Sequence, residues 1–198
     1  GDLQHLGHIR RAFSPGQRQP YAAGYFAAWH LLQRTDGRAK YMRPLKLLLV
    51  FLVVAANPVA AAQLEDGADA FQKGDYRTAL RLWRTLAEQG DPDAQFNLGH
   101  MYHIGLGVPQ DHQQAVFWDR QSAERGNGAA QFNVGVIYYT GQGVDQDYVQ
   151  SFMWFDLAAI KGDADAVRHR DRVAAKLTPR QIAEAQRLAR EWKPKQGR

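Results

Sequence analysis

Ala94-Gln95-Phe96-Asn97-Leu98-Gly99-His100-Met101-Tyr102-His103-Ile104-Gly105-Leu106-Gly107-Val108-Pro109-Gln110-Asp111 decides the fold, because the chain restates it 36 residues later as Ala130 to Asp147. Ala130, Gln131, Phe132, Asn133, Gly135, Tyr138, Gly141, Gly143, Val144, Gln146 and Asp147 repeat the first copy letter for letter. Leu98/Val134 and Met101/Ile137 exchange like for like. A repeat near this length is one supersecondary unit that cannot bury its apolar face alone and is stabilised by stacking on its neighbours.

Each unit reads as two helices around a glycine-ruled turn. Phe96, Gly99, Met101 and Tyr102, like Phe132, Gly135, Ile137 and Tyr138, fall at three- and four-residue steps and mark one side of a first helix, helix A. Gly105 and Gly107, with Gly141 and Gly143, end it by supplying backbone angles that a Cβ makes costly. Asp111 and Asp147 are placed to cap a second helix, helix B, carrying Ala115, Trp118 and Ala123 in one copy and Ser151, Trp154 and Ala159 in the other. Helix B stops at Gly126 and Gly162. Small residues such as Gly99, Ala115 and Ala123 allow close helix approach, with Phe96, Tyr102 and Trp118 filling the space between.

The pattern Ala-Gln-x-x-Leu-Gly-x-Met-Tyr-x-x-Gly-x-Gly-Val-x-x-Asp, followed by Ala, Trp and Ala-Glu-x-Gly, resembles the Sel-1-like repeat, a relative of the tetratricopeptide repeat. It covers two full copies between about Asp91 and Asp163. The resemblance implies an all-α fold, a right-handed α-solenoid of antiparallel helix pairs. It also implies a protein-interaction scaffold, common in exported bacterial proteins, with no catalytic residues and no cofactor. With no cysteine in the chain, the disulfide that ties the helix pair in one branch of that family is absent here.

Outward from the two copies, the expected organisation is residues 91–126 as repeat 1 and 127–162 as repeat 2. Residues 63–90 form a degenerate N-terminal capping repeat and 163–198 the C-terminal capping helices. A step of 36 back from Asp111, Ala115, Ala123 and Gly126 lands on Asp75, Ala79, Ala87 and Gly90, so a B helix is expected at about Tyr76 to Gln89, after an A helix at about Gln63 to Gln72. On the far side a third A helix starts with Ala166. Thr178-Pro179-Arg180-Gln181 then has the form of a capping box and opens a last helix with Ile182, Ala185, Leu188, Ala189 and Trp192 as its apolar stripe. That helix is expected to cover the end of the solenoid.

The front of the chain reads differently. Residues 1–41 are expected to be a disordered or spurious leader, rich in Gly, Gln, Arg and His without period. From Met42 the text becomes a secretory signal peptide, residues 42–62. Arg43 and Lys46 are its positive region, Leu47 to Ala56 its apolar run, and Ala60-Ala61-Ala62 its small-residue end. About 11 apolar residues fall short of the roughly 20 of a spanning helix, so no stable membrane insertion is expected after cleavage, and the expected location is periplasmic or secreted.

Formal charge supports neither a nucleic-acid partner nor a uniformly basic surface. The chain carries +5 overall, but residues 1–62 hold 8 Lys/Arg against 2 Asp/Glu, and the rest is nearly neutral. Within that remainder, residues 63–163 have 7 basic and 14 acidic groups, while residues 164–198 have 10 and 4. The basic end is open to two readings, a solvated face or a surface for an anionic partner.

The expected partner is a protein or peptide. Phased against the apolar side of helix A, Asn97, His100, Asn133 and Val136 are the candidates for a concave groove, with His103 and Tyr139 at its rim. Two asparagines at one repeat phase could hold an extended backbone, or each could bond a neighbouring helix. Tyr139, Tyr148, Phe117, Phe155 and Met153 include more than the unit needs and are candidates for a partner surface. His100, His103 and His112 beside Asp111 have the residue types of a metal site, but Val136, Tyr139 and Tyr148 replace the histidines in the other copy, and exposed histidines are the simpler reading. His169, Asp171 and Ser122 or Ser151 lack any nucleophile signature. The alternative of a small cell-envelope enzyme or cell-wall binder rests on those scattered residues alone.

Overall fold

The computed structural model describes residues 59–195, and the leader and most of the signal segment lie outside the described residues. Within them the chain is helical and has no strand. Helix α1 covers residues 59–72, α2 Tyr76–Glu88, α3 Pro92–Ile104, α4 His112–Glu124, α5 Gly128–Thr140, α6 Tyr148–Ile160, α7 Ala164–Ala174 and α8 Pro179–Glu191. From α1 to α7, odd numbers are A helices and even numbers are B helices. Those from α2 to α7 pack mainly against their neighbours in sequence, as expected of a stack of helix pairs.

Short side chains set the helix boundaries. Asp75, Asp111 and Asp147 accept backbone N–H groups at the start of α2, α4 and α6, as the repeat phase predicts. The A helices are capped as well, by Asp91, Asn127 and Asp163, so α7 starts at Ala164 rather than Ala166. Thr178 and Gln181 form the reciprocal capping box at α8. Gly105 and Gly141 close α3 and α5 in the left-handed region, both at φ 72°.

Three apolar clusters run along the stack. The first joins Ala68 of α1, Trp83 and Leu86 of α2 and Leu98 and Met101 of α3. The second gathers Phe96, Ala123, Val134, Trp154 and Leu157 with Ala189 of α8, and the third holds Phe132, Phe155, Ala166, Val173 and Ala185. Burying a side chain of the size of Leu86 or Phe155 is worth about 1.5–3 kcal/mol, so each cluster outweighs any single cap. Because every cluster draws on more than one repeat, no helix pair holds its own core.

The last helix does more than cover an end. Helix α8 lies along α6, and Trp192 packs edge-on against Trp154 with ring centroids 6.3 Å apart. The chain then turns back toward the middle of the stack. There Lys195 donates its backbone N–H to the Glu124 carbonyl at 2.8 Å and its ammonium to the Glu124 carboxylate at 2.6 Å. The C-terminal segment thus braces α4 and α6 from the side, which helix periodicity alone does not reveal.

The turn glycines are not equivalent. A Cβ at Gly107 (φ 73°) would lie 2.9 Å from both Cβ and the carbonyl oxygen of Tyr76, whereas at Gly143 (φ 76°) the nearest atom is Val116 Cγ2 at 3.4 Å. Both substitutions to valine force a β-branched residue into the left-handed region at about 1–3 kcal/mol. Gly107→Val adds a clash with backbone. Chemical denaturation should show Gly143→Val destabilised by that amount and Gly107→Val by more.

Candidate protein-interaction surface

The A helices carry the candidate site, and their placement explains which side chains reach solvent. Helix α3 is wedged between α2 and α4, and Ala94 to Met101 are buried without interruption; Ala130 to Gly135 of α5 are buried likewise. Asn97 and His100 are therefore buried rather than groove-facing, and His100 lies beside Phe71 of α1 with ring centroids 6.3 Å apart. Asn133 is 1% exposed. Its amide reaches back to the Asp119 carboxylate of α4 at 3.4 and 3.5 Å. Of the two roles open to the asparagines, Asn133 takes the one inside the solenoid.

His103 also departs from its expected place at a rim. It is 1% exposed, and its Nε2 lies 3.0 Å from Oδ2 of Asp119, itself fully buried. Burial pushes the Asp119 carboxyl above its ordinary value, and the bonds from His103 and Asn133 draw it only part of the way back. The sequence offered one signal for this pair. Asp119 stands 36 residues before Phe155, a charged group at an aromatic phase. Among the described residues no group of three His, Asp or Glu side chains is arranged to hold a metal ion.

Val136 and Tyr139 keep partial exposure. The accessible ridge continues one helical turn further. Ile104 is 42% exposed and Thr140 is exposed at the same repeat phase; Lys176 follows at that phase and Arg172 at the phase of Val136, beside the third A helix. Lys176 stands over the rings of Tyr139 and Tyr148 at 5.8 and 5.3 Å, a cation–π contact that joins α7 to the preceding turn. The surface presented by successive A helices is thus apolar at Ile104 and Val136 and positive at Arg172 and Lys176. Arg172 and Lys176 belong to the basic end, for which an anionic partner is one of two readings, but sequence reasoning missed their place on the ridge because the repeat signature fades after Gly162, although a step of 36 from Val136 and Thr140 lands on them.

Other expectations separate in the same way. Phe155 is fully buried against Gly135 and Met153 lies in the second cluster, so neither belongs to a partner surface. Phe117 does reach solvent, 49% exposed on α4 and edge-on to Trp118 at 4.9 Å. Ser122 and Ser151 donate their hydroxyls to the Pro92 and Gly135 carbonyls and serve helix packing.

An all-helical stack of paired helices, with an accessible ridge running across successive A helices, defines a helical-repeat solenoid. The chain belongs to the Sel1 repeat family: the model of the Sel1 repeat matches residues 60–91, 92–127 and 128–163, more than half of the chain. Sel1 repeats are generally protein–protein interaction scaffolds, typically without enzymatic activity. The chain is similar to a protective antigen present in uropathogenic Escherichia coli strains that displays an SLR fold, at 34% identity and a TM-score of 0.64, over 86% of this chain and 37% of that one. It is also similar to a Sel1 repeat protein from Oxalobacter formigenes, at 26% identity and a TM-score of 0.54, over 67% of this chain and 55% of that one. No curated protein matches it. The match at residues 60–91 takes in the worn copy before Gly90.

If Asn133 belongs to the packing, truncating it strips the buried Asp119 carboxylate of one of its partners. Asn133→Ala should lower stability by about 1–3 kcal/mol in chemical denaturation. An unchanged midpoint would mean that the Asn133 amide adds nothing to the packing around Asp119.

Proposed function

We propose that this protein is an exported scaffold that holds a protein or peptide along the ridge of its A helices. The observation that carries the reading is the ridge itself, in which Ile104, Thr140 and Lys176 stand at one repeat phase, with Val136 and Arg172 one helical turn before Thr140 and Lys176. Apolar positions in the middle supply the area that drives binding, and the two cations favour a ligand segment with negative charge at that end. Tyr139, with Tyr148 and Lys176 against it, gives the ridge a rigid edge. Export rests on the three-part segment from Met42 to Ala62. Cleavage after Ala62 keeps Leu64, whose carbonyl accepts the Trp83 indole N–H at 3.3 Å, and removes Ala60 from the edge of the first cluster.

Two experiments test the two halves of this proposal. Amino-terminal sequencing of the exported protein should read from Gln63; a product that retains residues before Met42 removes the signal-peptide reading. Envelope extract passed over the immobilised mature chain should leave a bound protein that an Ile104→Asp, Arg172→Glu variant holds at least about tenfold more weakly, equivalent to ~1.4 kcal/mol. Both side chains are exposed, so the variant should melt with the parent. Equal retention by the two would place the interaction elsewhere, with exposed Phe117 on the B-helix side the next surface to change.

A further inference from the structure

One slot recurs in each helix pair, and its middle copy is built from different chemistry. A glycine of the A helix faces one residue of the B helix: a Cβ on Gly67 would meet the Trp83 ring at 2.5 Å, on Gly99 the Asp119 carboxylate at 2.9 Å, and on Gly135 the Phe155 ring at 2.7 Å. Beside the slot a ring at the end of the A helix packs on a ring at the start of the B helix. These pairs are Phe71 and Tyr76 at 5.2 Å, His103 and His112 at 6.0 Å, and Tyr139 and Tyr148 at 5.7 Å between centroids. The outer repeats thus hold Phe-Tyr-Trp and Tyr-Tyr-Phe where the middle repeat holds His103, His112 and Asp119. Three aromatic positions have become titratable together.

The surroundings of Asp119 favour its neutral form. Its carboxyl receives one short contact, from His103 of α3, and two long ones from the uncharged Asn133 amide of α5. His112, at the start of the helix that carries Asp119, faces His103 and has Gln142 Nε2 3.4 Å from its Nδ1. Among the described residues, His103 and His112 are the titratable groups at this cluster, and α5 supplies no charge to it. A carboxylate in a fully buried place with so few donors is poorly stabilised, whereas a carboxylic acid needs no counter-charge.

We infer that Asp119, with His103, His112 and Asn133 against it, is a protonation-sensitive joint that tightens the contact among α3, α4 and α5 as pH falls and loosens it as pH rises. The direction follows from linkage. A carboxyl held above its ordinary value takes up a proton on folding, so its contribution to stability is complete below the unfolded value and is lost as pH rises through the folded one. The outer repeats have aromatic groups at the same places and do not share the response. Because Asn133 belongs to the next repeat, the joint sets how firmly the middle helix pair is held to α5 and hence the ridge that crosses both.

Carboxyl carbon NMR of the intact wild-type chain tests this without a variant. The Asp119 signal should titrate above that of exposed Asp75, whose carboxyl the bond from Thr78 holds low. Titration of Asp119 at or below Asp75 overturns the joint. Thermal melts supply the second reading, in which wild type should gain on Asp119→Asn as pH falls and lose ground as pH rises, with hydrogen exchange in α3 to α5 following the same direction while α2 stays level. Parallel melting curves for the two proteins overturn the proposal, as does a rise in melting temperature on adding zinc to wild type but not to Asp119→Asn, which would make the cluster a metal site. If Asp119→Asn does not fold, the carboxyl titration decides.

Discussion

A helix in the middle of this stack has no free side, and that constraint governs the rest. Helix α3 packs along α2 and α4 and meets α1 through His100 and α5 through Phe96, which is why Ala94 to Met101 form an unbroken buried run and why small residues stand where helices approach. Gly99 leaves no room for even a methyl group beside Asp119, and Gly135 none beside Phe155. Density of this kind is what converts a tandem array of short helices into one cooperative body, since no pair retains a core when separated from its neighbours.

The same density restricts where function can sit. Most side chains in the interior of an A helix are committed to packing, so a partner meets the half-buried Val136, what lies a turn beyond at Ile104, Thr140 and Lys176, and Arg172 on the open side of the last A helix. Polar groups that would serve a ligand on an open surface are turned inward instead. Gln95 illustrates this, since its amide donates to the Ala87 carbonyl at 2.9 Å and its equivalent Gln131 does the same to Ala123 at 3.3 Å, joining each A helix to the B helix before it. The repeat therefore uses amides as struts between units. Charge is used on the outside, where Arg187 bridges Glu184 and Glu191 and Lys195 reaches Glu124.

Much of this was legible in the order of residues because the features concerned are local. The spacing of Phe96, Gly99 and Met101, the caps at Asp75, Asp111 and Asp147, and the capping box at Thr178 are decided within a few residues of chain, where hydrogen-bond geometry and backbone sterics leave few choices. The repeat of 36 residues then dictated stacking, because an amphipathic pair restated along a chain has its own neighbour as its nearest apolar surface. The motif from Ala94 to Asp111 and its copy carried the resemblance to Sel1-type repeats, which the match over residues 60–163 shows.

Tertiary structure alone decided which polar residues are inside. Asn97, His100, His103 and Asn133 look like surface groups on a helical wheel, since periodicity reports the face a helix turns to its nearest partner and not the second and third partners that close over the remainder. The return of the chain from Trp192 to Glu124 was equally hidden, because the bond from Lys195 spans residues far apart in sequence. Phase across repeats marked Asp119 as an odd residue among aromatics, but only the packing of α3, α4 and α5 showed it buried against His103. Local chemistry writes the helices and their order; the environment of each ionisable group depends on every helix that packs against it.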